Sequence, residues 1–336
     1  MLPALGKGVL NAASDTQLLE LYDQLPSVLA AAKATNTWKR YTPMWDRFKQ
    51  WCQGTGVSFL PAEPLIVALY LLMLMQIAGS FNTIKCASAA IAAFHQAANL
   101  CSPTASPIVG SIREAAKRML HAGVNKKEPL SWDAVVQIAQ KALEPAATLK
   151  QLLIATIISV GFCGFFRYDD LSKITVDLVL IYRSHMEVFL ESRKNDQYRE
   201  GHWIPISYIP GCKGCPMLLT MQLIERAGLS GGRPLFSAVT LQEGKEVYGQ
   251  QPISYSCLRG MMLTAIADIG LPVEAFGTHS LRAGGATLAA NRGVPDRVWM
   301  EHGGWKSSRA AAGYVKSSRE VKLSVTHSMF GRPSAL

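Results

Sequence analysis

The chain lacks any apolar run long enough to cross a membrane. Its most apolar stretch, residues 65–75, is shorter than the roughly 20 residues that a membrane-spanning helix needs. It is better interpreted as a buried helix. The N-terminal residues MLPALGKGVLNAAS have neither the basic start nor the continuous apolar core of a signal peptide. We therefore expect neither a membrane protein nor an exported one.

Cysteines are few, and their pattern does not suggest a disulfide framework. The seven cysteines lie mostly within apolar helical patterns, which suits reduced, buried thiols in an intracellular protein. Only Cys212 and Cys215 have a spacing that suits a metal. A single C-x-x-C without a second pair is weak evidence for zinc. We expect a turn there, and no metal site.

Charged residues make up only 17% of the chain, but their balance is basic, with a formal net charge of +10. Residues 1–128 carry 12 basic and 7 acidic residues (+5), residues 129–278 carry 13 and 14 (−1), and residues 279–336 carry 9 and 3 (+6). The 49% hydrophobic content is typical of a folded globular protein. An anionic partner that contacts both ends of the chain is the natural inference.

The first third of the chain is predicted to be helical throughout. Apolar residues recur at helical spacing over residues 36–52, 65–78, 81–100 and 108–122. Lys39, Arg40 and Arg47 fall mainly off the apolar stripe of the first of these segments. Such charges usually form a solvated face, but in a basic domain this face also suits phosphates.

A domain boundary is predicted at residues 123–129, where glycine, proline and charge interrupt the helical periodicity. This segment contains Lys126 and Lys127. We therefore place a first domain at residues 1–122 and a linker at 123–129.

The rest of the chain mixes helices with a few strands. Helical patterns cover residues 131–143, 148–162, 216–228 and 253–270, and β-branched segments typical of strands cover 174–182, 186–191 and 202–206. Residues 229–252 are interpreted as a connection. The polar hairpin SRKNDQYREG, between the last two strands, contains Arg193 and Lys194. The predicted fold class is mainly α with a small antiparallel β-sheet.

Arg167 follows the apolar run IISVGFCGFF and stands three residues before Asp170. An i, i+3 ion pair on a helix surface is the ordinary explanation, and it is worth only a few tenths of a kcal/mol. A surface pair is not expected directly after so apolar a run. We therefore place Arg167 at a half-buried helix end, where a phosphate would complete the guanidinium.

His279 and Arg282 stand three residues apart. If Ser280 opens a helix, His279 is at its N-cap and Arg282 is in its first turn. Both polar groups then point toward one anion at the positive end of the helix dipole. Taken alone, His-x-x-Arg is a common pairing at helix starts and is usually structural.

Trp305 and Tyr314 follow in the same basic segment, which includes Lys306. A tryptophan after two glycines is ordinarily a packed core residue, and a tyrosine on a helix is ordinarily half-buried. A phenol beside cationic groups and a bound phosphate is, however, a candidate nucleophile. The ordered set of residues favours the functional interpretation.

The order His279-x-x-Arg282, Gly304-Trp305, Tyr314 resembles the C-terminal signature of the tyrosine recombinases, the integrase family. The segments HSLRAGGAT, GVPDR, HGGWKS and GYVK further resemble the recombinases of eukaryotic DIRS-order, Ngaro-like retroelements. The resemblance implies two domains: a helical core-binding domain over residues 1–122 and an α+β catalytic domain over residues 130–318. Residues 319–336 would form a tail that docks on a neighbouring protomer.

The resemblance also implies a role for each candidate residue. Tyr314 would be the nucleophile, Arg167 and Arg282 the ligands of the phosphate oxygens, His279 and Trp305 further hydrogen-bond donors, Lys194 the general acid, and Asp170 the residue that orients Arg167 or His279. The residues expected to contact DNA are Lys39, Arg40, Arg47, Lys126, Lys127, Arg193 and Lys306. His302 is interpreted as structural.

The predicted function is that of a site-specific recombinase or integrase for a mobile element. It would act in the nucleus on double-stranded recombination sites, expected to be the terminal repeats of the element. Four protomers would join two sites. Two guanidiniums and a lysine can supply the electrostatics that a metal supplies elsewhere, so neither a metal, ATP nor another cofactor is expected. Two alternatives stay open: a domesticated, inactive DNA-binding protein, and a type IB topoisomerase.

Overall fold

The computed structural model describes residues 35–120, 126–191 and 201–330, with a few single positions between 20 and 28. These residues are mostly helical with short antiparallel strands, which confirms the predicted fold class. The chain divides into two compact units, residues 1–125 and 126–336. Within the described ranges, no helix combines the length and the apolar character that a membrane crossing requires.

The described part of the first unit is built from helices. They are α1 (Thr35–Thr55), α2 (Pro64–Ile77), α3 (Phe81–Ala97) and α4 (Pro107–Met119). Proline occupies the first turn of α2 and of α4, where its missing N–H has no helical partner to lose. The Ser80 side chain begins α3 by accepting a hydrogen bond from the Asn82 N–H. Phe48, Leu71 and Ile84 are fully buried between these helices.

His95 is the fully buried polar side chain of this core. Its Nε2 accepts a hydrogen bond from the Ala62 N–H at 3.0 Å, and its Nδ1 donates to the Ile91 carbonyl at 2.8 Å. Burial lowers the pKa of His95, so the ring is neutral. Both ring nitrogens are satisfied by the backbone, which makes His95 part of the scaffold.

The described part of the second unit combines helices with short strands. The elements are α5 (Trp132–Ala142), α6 (Leu149–Cys163), α7 (Tyr168–Leu171), β1 (Val179–Ile181), β2 (His185–Leu190), β3 (His202–Ser207), α8 (Pro216–Ala227), β4 (Ser237–Gln242), β5 (Lys245–Pro252), α9 (Tyr255–Asp268), α10 (His279–Asn291), α11 (Asp296–Gly303), α12 (Ser308–Ala312) and α13 (Arg319–Phe330).

Helix α6 is the central element of this unit. Thr148 and Gln151 form a reciprocal capping box at its start, and nearly every residue after the first turn is buried. Helices α5, α8, α9 and α10 pack around it, as expected for a helix that is apolar on all sides. Its end at Cys163 leads directly to Phe165 and Arg167, and so positions one side of the candidate site.

Strands β1, β2 and β3 form an antiparallel sheet in that order. Val188 of β2 pairs with Val179 on one side and with Ile204 on the other, and all three side chains are buried. The tip of the hairpin between β2 and β3, which includes Arg193 and Lys194, lies outside the described residues.

The interpretation of residues 229–252 as a connection was wrong, because β4 and β5 form an antiparallel hairpin within this range. Most of their side chains are exposed, so the alternation that identifies a half-buried strand is missing. Tyr248 is an exception. It is buried, and its hydroxyl donates to the Leu235 carbonyl at 2.6 Å.

Candidate active site

Helix α10 begins at His279, with Thr278 as its N-cap, one residue earlier than the sequence suggested. Ser280 does not open the helix. Its hydroxyl instead accepts a hydrogen bond from the Gly277 N–H at 3.1 Å. His279 and Arg282 therefore both lie in the first turn, where the unpaired N–H groups and the positive end of the helix dipole favour an anion.

Arg282 is fully buried, and the surrounding backbone holds its guanidinium. Nη1 donates to the Phe165 carbonyl at 2.5 Å, and Nη2 donates to the Gly303 carbonyl at 2.7 Å. The guanidinium carbon lies 3.7 Å from the centre of the Trp305 ring and 5.3 Å from the centre of the Tyr314 ring. Arg282 therefore supplies a positive charge and packs against both of these rings.

Phe165 presents its carbonyl to Arg282 from an unusual backbone conformation. Its φ is 52°, in the left-handed region that costs a non-glycine residue about 1–3 kcal/mol. Its ring is buried and contacts His302 edge-on at 4.8 Å. His302 in turn bonds through Nε2 to the Cys163 carbonyl at 2.8 Å. These contacts agree with a structural role for His302, as it holds the turn that supplies the carbonyl.

Three glycines allow the close packing behind the site. A Cβ at Gly284 would lie 2.3 Å from the Leu130 carbonyl oxygen, and one at Gly285 would lie 2.1 Å from the Phe162 carbonyl oxygen. A Cβ at Gly303 would lie 1.8 Å from the Trp305 ring. The glycine pair of HSLRAGGAT is therefore required because α10 lies directly against the backbone of its neighbours.

Arg167 is the N-cap of α7 and is half-buried. The buried Asp170 carboxylate accepts a hydrogen bond from the Arg167 backbone N–H at 2.9 Å, so it fixes the main chain that carries the guanidinium. The Arg167 Nη1 atom is buried and has no hydrogen-bond partner within the described ranges. A buried donor left unsatisfied costs about 1–3 kcal/mol, which favours a ligand that accepts from it.

Trp305 presents a second donor of the same kind. Its side chain is 6% exposed, and its Nε1 is buried without a hydrogen-bond partner among the residues that the structure describes. Other buried donors or hydroxyls in this state, on Thr220, Arg233 and Ser237, belong to other parts of the unit. Arg167 and Trp305 differ from these because they line the same cavity.

This cavity has a volume of about 550 Å³ and is lined by four of the candidate residues, Arg167, His279, Trp305 and Tyr314. The Tyr314 ring lies 5.3 Å from the Trp305 ring and 6.2 Å from the His279 ring, measured between ring centres. Tyr314 is half-buried just beyond the end of α12. Tyr314 thus shares a cavity with the start of α10 and with two residues that carry buried N–H donors, an arrangement that suits a bound phosphate.

A second cavity of about 560 Å³ lies beside His279 and Tyr314 and is lined by three lysines. Of these, Lys127 donates to the Glu274 carbonyl at 2.5 Å, and Lys316 forms an ion pair with Glu128. The third, Lys126, is exposed. Cationic side chains thus line a second cavity that also includes His279 and Tyr314.

The other predicted DNA contacts that the structure describes are all exposed. Lys39, Arg40 and Arg47 are exposed on α1 of the first unit, where Arg40 donates to the Asn82 side chain at 3.2 Å. Lys306 is exposed beside Trp305. Among the described residues, no group of three or more His, Cys, Asp or Glu side chains could hold a metal ion.

No protein-family model matches the chain. The chain is similar to the integrase/recombinase xerD homolog of Selenomonas ruminantium, at 26% identity over 90% of this chain and 88% of that protein. It is also similar to the recombinase cre of Escherichia phage P1, at 23% identity over 94% and 92% of the two chains. A lambda integrase tetramer bound to a Holliday junction shares the fold, with a TM-score of 0.55 and 17% identity over 92% of this chain and 80% of that one.

Proposed function

We propose that this chain, which belongs to the tyrosine recombinase family, is a site-specific DNA recombinase or integrase that cleaves and rejoins strands through a 3′-phosphotyrosyl intermediate. The observation that carries the proposal is the cavity that Arg167, His279, Trp305 and Tyr314 share. Arg282 lies behind it, stacked on the Trp305 ring.

The phosphate of the scissile bond would be held by hydrogen-bond donors whose positions are fixed before the substrate arrives. Arg167 Nη1 and Trp305 Nε1 are buried donors that await an acceptor. Non-bridging phosphate oxygens are strong acceptors, and a guanidinium matches their geometry in a way that an ammonium does not. Preorganised donors of this kind stabilise the charge that develops in the transition state.

In the cleavage step, the Tyr314 phenol oxygen attacks phosphorus and forms the P–O bond as the bond to the 5′-oxygen breaks. His279, whose ring lies near the Tyr314 ring, assists removal of the phenol proton. Lys194 would give a proton to the departing 5′-oxygen. Rejoining is the reverse attack by a 5′-hydroxyl from another strand. The P–O bond energy is retained in the protein–DNA link, so no ATP is consumed.

Recombination between two duplexes requires several active sites to be brought together. The lambda integrase relative has been solved as a tetramer on a Holliday junction, which supports the same assembly here. In α13 no residue is buried, and apolar side chains from Val321, at 37% exposed, to Phe330, at 83%, lack cover within the described ranges. We assign this helix to docking on a neighbouring protomer.

The mobile-element branch and the cell compartment are narrower assignments. The relatives described above come from a bacterium and a phage, so the retroelement branch stays a prediction that rests on the sequence motifs. Nuclear localisation rests on that resemblance and on the DNA substrate. A fluorescent fusion of the full chain, expressed in a eukaryotic cell, would test it directly, because exclusion from the nucleus contradicts it.

Covalent capture from a pool of duplexes with random centres tests the proposed function. The wild type is incubated with the pool, the mixture is denatured, and DNA that stays attached to protein is sequenced. Enriched sequences are then rebuilt with a nick beside the cleavage position, so that the cut strand cannot rejoin. We expect a covalent adduct with the wild type and none with Tyr314→Phe.

The same experiment separates the alternatives. Tight DNA binding by the wild type without any adduct would contradict the proposal and favour a DNA-binding protein without catalytic activity. Adducts without sequence enrichment, together with relaxation of supercoiled plasmid by the monomer, would favour the topoisomerase. Sequence enrichment with an adduct that requires Tyr314 supports the recombinase.

A further inference from the structure

The segment from Tyr314 to Ser318 has no regular secondary structure, yet side chains of α10 hold its backbone. The Thr287 hydroxyl donates to the Tyr314 carbonyl at 3.2 Å and accepts from the Lys316 N–H at 3.1 Å. One hydroxyl thus uses both its donor and its acceptor on the residues that begin this segment.

Asn291 continues the same pattern one helical turn later. Its Nδ2 donates to the Lys316 carbonyl at 3.2 Å, and its Oδ1 accepts from the Ser318 N–H at 3.2 Å. The two bonds fix the orientation of the amide, because only Nδ2 can face a carbonyl and only Oδ1 can face an N–H. Residues at i and i+4 lie on one face of a helix, so Thr287 and Asn291 bind the backbone of the segment from the same face of α10.

We infer that Thr287 and Asn291 are positioning residues for strand cleavage, which fix the main chain from which the Tyr314 side chain projects. The inference rests on the proposed function, in which Tyr314 is the nucleophile. Neither residue lines the cavity that Arg167, His279, Trp305 and Tyr314 share. Their role is therefore to place the phenol rather than to touch the phosphate.

The physical argument depends on accuracy of placement rather than on stability. Each hydrogen bond contributes only about 0.5–1.5 kcal/mol of net stability, so loss of one leaves the fold intact. A displacement of about 1 Å at a reacting atom, however, can cost about 100-fold in rate. Without the Thr287 hydroxyl, the Tyr314 carbonyl and the Lys316 N–H would bond to water, and of the backbone bonds at Tyr314 the one from its N–H to the Ala311 carbonyl would remain.

The ordinary behaviour of a helical threonine is visible in the same unit. The Thr264 hydroxyl donates to the Gly260 carbonyl of its own helix, α9, at 3.1 Å. Thr287 instead contacts a segment 27 residues away. Thr264→Val is therefore a matched control for Thr287→Val: it makes the same chemical change on a helix, without a contact to the nucleophile segment.

Amide-resolved hydrogen exchange on the DNA-free protein tests the anchoring. In the wild type we expect slowed exchange at the Lys316 and Ser318 amides. Thr287→Val should lose protection at Lys316, and Asn291→Ala should lose it at Ser318, while the Thr264→Val control keeps both. Fast exchange at both amides in the wild type would overturn the inference.

Cleavage kinetics test the consequence, on a nicked duplex that forms the adduct with the wild type. We expect Thr287→Val to slow adduct formation about 10–100-fold, while the Kd for the same duplex changes less than about twofold. Thr287→Ser should recover most of the rate, because serine restores the hydroxyl and valine only the shape. If Thr287 had a purely structural role, the rate of adduct formation would not depend on whether the side chain carries a hydroxyl.

The outcomes separate the two proposals. An unchanged cleavage rate in Thr287→Val, or a Thr287→Ser variant as slow as the valine variant, overturns the positioning role and leaves the proposed function standing. A wild type that forms no adduct on any duplex defeats the proposed function, and the positioning role with it.

Discussion

The buried His95 of the first unit and two buried donors of the candidate site in the second unit differ in how their polar atoms are satisfied. In the first unit, both ring nitrogens of the buried His95 bond to the backbone. In the second, Arg167 Nη1 and Trp305 Nε1 are buried without a described partner, on a shared cavity. Satisfied groups stabilise a fold, whereas unsatisfied donors that converge on one cavity indicate a ligand. An unsatisfied atom alone does not mark a site, since Thr220, Arg233 and Ser237 also carry one. Arg167 and Trp305 are singled out because both line one cavity.

The largest expected effect is at Tyr314. Tyr314→Phe removes one oxygen atom and should lower adduct formation by about 10⁴-fold or more, because the nucleophile is lost while the fold is kept. Thermal denaturation should change little. Tyr182→Phe, on the exposed end of the sheet, is the matched control and should cleave normally. Residual adduct in Tyr314→Phe would mean that another side chain is the nucleophile.

Substitution by lysine should affect stability differently at Arg167 and at Arg282. Arg167→Lys should lower the cleavage rate about 10²–10³-fold and alter stability by less than about 1 kcal/mol, because its buried Nη1 has no described partner to lose. Arg282→Lys should also destabilise the protein by about 2–4 kcal/mol, since it loses contacts to two carbonyls and a ring. Urea denaturation beside adduct kinetics measures both. Equal stability losses would contradict the distinction.

Trp305→Phe tests the second buried donor at the candidate site. It removes an N–H donor that has no described partner, and with it the free-energy cost of a buried, unsatisfied donor. This gain should offset part of the stability lost because the phenylalanine ring fills less volume. We expect a stability change of less than about 1 kcal/mol and a cleavage rate about 10–100-fold lower. A rate equal to the wild type would show that Nε1 does not bind the phosphate.

The last prediction concerns the first unit and leaves cleavage unchanged. Burial lowers the pKa of His95 in the folded state, so the unfolded chain binds the proton more readily. The stability that this neutral ring contributes is present above the ordinary histidine pKa of about 6.5 and is lost as the pH falls below it. His95→Gln should therefore be less stable than the wild type at pH 7.5, by about 1–3 kcal/mol, and the gap should narrow at pH 5.5. A gap that widens on acidification would contradict this.

Much of the candidate site could be predicted from the sequence, because its residues stand at fixed offsets along short segments. His279 and Arg282 share one helical turn, and Trp305 and Tyr314 follow close behind. The start of α10 was placed at Ser280 with His279 as its N-cap, whereas the helix begins one residue earlier, at His279. Here the Ser280 hydroxyl instead bonds back to Gly277.

Other features depend on contacts between distant segments, and a local pattern cannot reveal them. The left-handed backbone of Phe165 and its bond to Arg282 join residues 117 positions apart. The exposed strands β4 and β5 carry no alternating pattern. The role of Thr287 is also invisible in the sequence, since a threonine on a helix usually bonds within that helix. The sequence identifies the side chains that could take part in the reaction, whereas the contacts that position them are visible only in the fold.

Helix α10 carries His279 and Arg282 in its first turn, and toward its other end it carries Thr287 and Asn291, which hold the segment that begins at Tyr314. From His279 to Asn291 the helix measures about 20 Å at 1.5 Å per residue. Side chains carried by the same rigid helix keep their relative positions when the whole helix moves. The position of Tyr314 relative to His279 and Arg282 would thus be kept when the helix moves as a whole.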